Sequence, residues 1–198
     1  MISCILLTAG LNSRFHSPKA LARLGQDTVI EHLQKDLINT QLFEIVIVLG
    51  SEAHTIKPFL LNHKKIHFVY NKDYNLGQTS SFKIGLTRIS SQSQGIMLLP
   101  IDYPFIKIKT IYFILKNFLF LSAPHFFIPT YQNKKGHPLV FNASFKEEFQ
   151  NLDNALGINT IFHRHADKTI FFDVDDPGVV STFNTQEEFA DIKKQFGW

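Results

Sequence analysis

Short apolar runs recur along this chain, separated by segments with apolar residues at helical spacing, and that alternation restricts the fold to a mostly parallel sheet covered by helices. The runs predict strands at Ser3–Leu7, Glu44–Leu49, Ile66–Tyr70, Gly95–Leu99, His125–Pro129, Pro138–Phe141 and Thr169–Val174. The helical period predicts helices at Val29–Ile38, Ala53–Leu61, Ser80–Ile89, Lys109–Phe120 and Thr185–Phe196. Strict alternation fails once, where His125–Pro129 and Pro138–Phe141 follow each other directly; these are expected to form an antiparallel pair with a loop at its tip, making the sheet mixed. The class is therefore α/β: a Rossmann-like, mixed but mostly parallel sheet with helices on both faces.

No internal repeat, Pro/Ser linker or charge block divides the sequence, and 198 residues suit one domain spanning 1–198. With 44% hydrophobic and 19% charged residues the chain has enough apolar material for its own core. The net charge of +3 comes from scattered Lys and Arg rather than a basic stripe, so no nucleic-acid partner is expected. The N-terminus lacks a basic n-region, and Ile111–Leu121 is interrupted by Lys116 and Asn117 and falls short of the roughly 20 residues that span a bilayer. Neither secretion nor a membrane partner is expected, and the location inferred is cytoplasmic. Cys4, the one cysteine, lies in an apolar run and reads as a small packed hydrophobe.

The segment leaving the first strand, Leu7-Thr8-Ala9-Gly10 through Arg14 to Pro18-Lys19, carries the strongest chemical signal. Ligands of open α/β sheets collect at such carboxyl ends. It is neither a Walker A loop nor a Gly-x-Gly-x-x-Gly turn. Small residues at Thr8–Gly10 let the backbone approach a flat ligand, while Arg14 and Lys19 can neutralise a triphosphate and the charge developing at its α-phosphorus. Asp102 follows the apolar run Ile96–Leu99 and is expected on the same sheet edge, where a carboxylate can hold Mg²⁺ against triphosphate oxygens.

The spacing Thr8-Ala9-Gly10-x-x-x-Arg14 with Pro18-Lys19 resembles the signature of the molybdenum-cofactor cytidylyltransferase and guanylyltransferase group of nucleotidyltransferases. Three further stretches resemble that family in order and spacing: Asn71 through Gly77, Ser80, Ser81 and Leu86; Leu98 through Asp102 to Phe105; and Gly136-His137-Pro138 with Asp175 through Val180 and Asn184-Thr185. The resemblance implies a Mg²⁺-dependent transfer of a nucleoside monophosphate to a phosphorylated small molecule, with release of pyrophosphate. It implies nucleotide contacts from Leu7, Thr8, Ala9, Gly10, Lys19, Asn71, Gly77, Ser80 and Ser81, catalysis by Arg14, Lys19 and Asp102, an acceptor near Gly136 and His137, and a metal on Asp102 and Asn184. Ala9 stands where family cytidylyltransferases carry Ala and guanylyltransferases Gly, which implies CTP.

Several positions depart from the family pattern. His16 replaces a usual Gly, Asn154–Asn159 replaces a Gly-Asp-x-Gly-Ala-Arg stretch, and Thr182 and Asn184 replace two aspartates. Asn184 could ligate a metal through its amide oxygen or cap the last helix, and the residues weigh equally for both. A sugar-phosphate or alcohol-phosphate acceptor, or a nucleotide-binding regulatory module without turnover, are the alternative readings. Other constellations carry less. His163 and His165 with Asp167 read as a solvated helix end, Asp173, Asp175 and Asp176 as a strand running into the Pro177-Gly178 turn, and Ser80 and Ser81 lack a His–Asp partner pattern.

Overall fold

A computed structural model describes residues 1–10, 14–121 and 124–198, so part of the first loop, 11–13, lies outside the described residues. Three strands are mostly apolar and buried along their whole length: β1 (Ile2–Leu7), β4 (Glu44–Leu49) and β6 (Gly95–Pro100). Strands covered on both faces need no polar alternation, which is why these three form the centre of a parallel sheet. Between them come a short hairpin, β2 (Arg23–Leu24) with β3 (Asp27–Thr28), then α1 (Val29–Ile38), α2 (Ala53–Ile56), β5 (Ile66–Tyr70) and α3 (Gln78–Arg88). The rest comprises α4 (Ile108–Leu119), β7 (Phe126–Tyr131), β8 (Lys134–Lys135), β9 (Leu139–Asn142), α5 (Lys146–Gln150), α6 (Asn159–Arg164), β10 (Thr169–Asp173) and α7 (Gln186–Gln195).

The sheet order is β10-β7-β9-β6-β1-β4-β5, with β8 beside β7. Strand β9 runs antiparallel to both of its neighbours, β6 and β7, while β1, β4, β5 and β6 are mutually parallel. This is the mixed sheet and antiparallel pair that the sequence predicts. The tip of that pair is no plain loop: Gln132 and Asn133 adopt positive φ of 49° and 63°, the geometry of a two-residue hairpin turn, and return the chain as β8.

Side chains alternate across the sheet and build one core on each face. Cys4, Leu6, Ile47 and Met97 pack under α1, α4 and α7, whereas Ile5, Leu7, Val48 and Leu98 pack under α3, α5 and α6. Cys4 is fully buried, and that burial pushes its thiol pKa up, as suits a packed hydrophobe.

All seven expected strands are present, with ends moved by no more than two residues. The helix expected over Ala53–Leu61 is shorter, because Pro58 cannot donate a helical hydrogen bond and the chain tightens to a 3₁₀ turn at Lys57–Phe59. Helices α5 and α6 were not predicted; at five and six residues they are too short to show a period. His165 does not end in solvent as expected, since its Nε2 lies 2.7 Å from Glu148 Oε2 and its ring packs on Phe145.

The acidic run after β10 also departs from expectation. The strand ends at Asp173, and fully buried Asp176 accepts from Lys107 N at 2.8 Å, Thr110 Oγ1 at 2.6 Å and Gly178 N at 3.0 Å. It thereby caps α4, whose own N-cap residue Lys107 offers no side-chain cap. Asp176→Ala strands three donors in the interior, and we expect a loss of at least about 2 kcal/mol in urea unfolding. An unchanged midpoint would mean that the 177–180 segment is held by other contacts.

Candidate active site

The parallel pairing of β1 with β6 puts Leu7 opposite Pro100, so the loops leaving both strands emerge side by side. A hydrogen bond from Ile101 N to Leu7 O, 3.0 Å, extends that pairing past the strand ends. Here opens a cleft of about 300 Å³ lined by Leu7, Ala9, Gly10, Arg14, Lys19, Gly77, Ser81, Asp102 and Asn184. Nine residues singled out by sequence thus meet in one cavity.

Its centre is an ammonium between two oxygens. Lys19 Nζ lies 3.4 Å from Asp102 Oδ2 and 3.2 Å from Asn184 Oδ1, and Arg14 Nη2 lies 3.1 Å from the same Asn184 oxygen. The Lys19 and Asp102 side chains are only 12% and 23% exposed, so water screens the pair less than a surface bridge. A carboxylate and an amide oxygen converging on one cation are hard donors, and they fit a magnesium-like ion that keeps several waters and takes one or two protein oxygens beside phosphate.

Three packing contacts hold this arrangement. The arm Thr182-Phe183-Asn184 alternates, so that Phe183 is fully buried while Thr182 and Asn184 meet the site. Phe183 packs on Phe15 at 5.3 Å and on Phe189 at 4.5 Å between ring centroids, clamping the first loop to the arm, and Lys19 Nζ sits 5.3 Å above its ring. His16, where the family pattern has Gly, takes φ 58°, a left-handed conformation that a glycine adopts without strain.

Asn184 divides its groups between two tasks. The cap of α7 is Thr185, whose side chain accepts from Glu188 N at 3.1 Å, while Asn184 N donates to Glu188 Oε2 at 2.6 Å. The Asn184 side-chain oxygen is left for the cleft. The helix-cap alternative therefore belongs to Thr185.

Other expected contacts lie behind the wall. Thr8 is buried and its hydroxyl donates to Val48 O at 2.7 Å. Asn71 Nδ2 donates to Ser80 Oγ at 3.0 Å and Ser81 Oγ at 2.9 Å, and Ser80 Oγ also donates to backbone oxygen at Gly77. Thr8, Asn71 and Ser80 thus brace the loops instead of lining the cavity, because their hydroxyl and amide groups satisfy buried backbone and one another. Gly77, at φ 93°, starts α3 in a conformation open to glycine, and it leads the helix N-terminus toward the cleft. Tyr74, Asn75, Gln78, Pro100 and Ile101 also line the cleft; all lie inside the motif stretches, but their side chains gave no separate signal.

A second cavity, about 430 Å³, adjoins Asp102 through Tyr103 and contains Gly136 and His137. A Cβ on Gly136 would stand 2.3 Å from Val179 O, so only glycine lets the strand approach the 177–180 segment this closely. His137 N donates to Val179 O at 2.8 Å, and its ring packs on Tyr103 with centroids 4.7 Å apart. Burial pulls the His137 pKa down to about 4, against the opposing pull of a Leu98 backbone hydrogen bond and Asp102, so the ring is neutral near pH 7. Tyr103, Phe162 and Phe171 give the cavity aromatic walls, and Lys135, whose Nζ lies 4.6 Å from the centre of the Phe171 ring, gives it a cation. Sequence reading named Gly136 and His137 but not these walls, which come from distant elements.

If this geometry serves phosphate chemistry, Lys19→Ala and Asp102→Ala should each cut turnover at least about 10²-fold with the thermal midpoint nearly unchanged. Near-normal turnover in either variant removes that residue from the chemistry. Asn184→Asp places an anion where two cations converge, and is expected to lower the Mg²⁺ concentration for half-maximal rate; an unmoved titration would separate Asn184 from the metal.

The family description "MobA-like NTP transferase domain" matches residues 4–169. A nucleotidyl transferase from Methanothermobacter thermautotroptrophicus superposes with a TM-score of 0.84 at 19% identity, covering 99% of this chain and 97% of that one. Rv0371C of Mycobacterium tuberculosis H37Rv, in complex with manganese, superposes at 0.77 with 19% identity over 98% of each chain. The nicotine blue oxidoreductase of Paenarthrobacter nicotinovorans is 24% identical over 156 residues, 73% of this chain and 72% of its own. Among the described residues no helix is long and apolar enough to cross a membrane.

Proposed function

Since the chain belongs to the MobA-like NTP transferase family, we propose that it is a Mg²⁺-dependent cytidylyltransferase, a single domain over residues 1–198 that passes CMP from CTP to a phosphorylated, ring-bearing acceptor of the molybdopterin type. Folds of this kind host unrelated activities, as the oxidoreductase name of one relative illustrates, so the site must carry the reading. The observation that carries it is the convergence of Arg14, Lys19, Asp102 and Asn184 on one cleft that a second, aromatic-walled cavity adjoins.

In the reading we favour, the triphosphate lies along the first loop, where Arg14 and Lys19 face its charge. Asp102 and Asn184 would hold Mg²⁺, which when bound neutralises triphosphate oxygens. The acceptor phosphate attacks the α-phosphorus in line: one new bond forms between its oxygen and that phosphorus, the bond to the β-phosphate oxygen breaks, and pyrophosphate leaves. No protein nucleophile is needed, so positioning and charge carry the rate. Lys19 is placed to follow the charge as it moves to the leaving group, because its ammonium rests on a flexible stem with three donors.

The second cavity supports this choice of acceptor. Sugar and polyol phosphates call for many side-chain hydrogen bonds, whereas Tyr103, Phe162 and Phe171 offer flat apolar area to a planar ring. Neutral His137 adds polarity there without charge. The manganese complex of a protein with the same fold is a further support for a divalent ion.

A pyrophosphate-release assay with each of the four NTPs, against molybdopterin, sugar 1-phosphates and polyol phosphates, tests this directly. Release confined to CTP with molybdopterin is expected. Release with sugar or polyol phosphates alone overturns the acceptor, and tight NTP binding without release for any of them identifies a nucleotide-binding module.

The base preference has its own handle. Ala9 is buried and its backbone and methyl lie where a Cβ on Gly50 would have to be, within 2.6–2.8 Å, so the ends of β1 and β4 are packed without spare volume beside the cleft. A methyl at that point leaves room for a pyrimidine and crowds a purine. Ala9→Gly should then shift the CTP:GTP affinity ratio toward GTP by roughly 10-fold or more, the scale of one methyl in a tight pocket. Competition binding in which wild type holds GTP as tightly as CTP would reassign the base.

A further inference from the structure

Thr182 does not itself line the first cavity but bonds a residue that does. Its Oγ1 donates to Asp102 Oδ2 at 2.9 Å. Asp102 lines the first cavity, and its chain neighbour Tyr103 packs its ring on His137 and walls the second. An aspartate at 182, the residue of the family pattern, has no proton to donate to a neighbouring carboxylate and would repel it. The hydroxyl can bond this carboxylate where an acid could not.

We infer that Thr182 is a positioning residue: by donating to Asp102 it fixes the direction of the carboxylate for a divalent ion. The inference rests on the nucleotidyltransferase reading for its rate consequences but not for its geometry. Phe183, fully buried beside it, holds the backbone of the arm, so the Thr182 side chain has a rigid base from which to act. Groups that orient a metal-binding carboxylate in this way are commonly worth about 10- to 100-fold in metal affinity or activity.

Two variants of the full chain test this. Thr182→Val keeps the shape and removes the hydroxyl, and Thr182→Ser keeps the hydroxyl. Mn²⁺ titration followed by the spectrum of the free ion reads the carboxylate without turnover. Metal-free nucleotide binding reads the rest of the cleft, and kcat and acceptor KM read the reaction. We expect Thr182→Val to weaken Mn²⁺ binding about 10-fold or more with metal-free nucleotide binding unchanged, and Thr182→Ser to restore it. Mn²⁺ binding by Thr182→Val within about twofold of wild type overturns the inference, as does failure of a folded Thr182→Ser to restore it. Should Thr182→Val not fold, Thr182→Ala, which also lacks the hydroxyl, is read by the same criteria. A wild type that binds Mn²⁺ but turns over no NTP refutes the transferase reading alone, and the metal titration still decides the role of Thr182.

Discussion

The register between β1 and β6 decides where charge can gather in this protein. Parallel neighbours end on the same edge, so a loop rich in small residues and cations and a loop with a carboxylate leave the sheet within hydrogen-bonding reach of each other. Everything added later is fastened to that edge. The arm 182–184 arrives from the far end of the chain and is held by Phe183 against Phe15 and Phe189, which converts an apolar contact into the placement of Asn184. The 177–180 segment is fixed upstream by Asp176 on α4 and by Gly136 against Val179. Local electrostatics therefore depend on hydrophobic packing some residues away.

How much of this could be read from sequence follows from the range of the forces involved. Strands β1, β4 and β6 were legible because burial on both faces leaves mostly apolar runs, and Arg14, Lys19 and Asp102 because strand ends limit where charge can go. Thr8, Asn71 and Ser80 fall in the expected region and stand behind the wall of the cleft. Small polar residues beside a glycine loop suit lining and bracing equally, and only the partner of the hydroxyl separates the two. Thr182 was legible as a departure but not as a contact, because its partner lies 80 positions away in sequence. The aromatic walls of the second cavity were hidden for the same reason: Tyr103, Phe162 and Phe171 come from a loop, a short helix and an edge strand that no local pattern joins.

The two replacements at 182 and 184 alter the charge balance together. With aspartates at both positions three carboxylates would crowd one edge and face two cations; here Asp102 alone faces Arg14 and Lys19. An isolated divalent ion then meets a single anionic ligand, and it binds better with ligands that bring their own negative charge. On the proposed function a triphosphate would be such a ligand and would also satisfy the cation that Asp102 leaves over. Two acids fewer would then weaken the hold on a bare metal and favour a metal that arrives with polyphosphate. Thr182 completes the balance, because its hydroxyl gives the remaining carboxylate a fixed direction without adding a charge that the site could not neutralise.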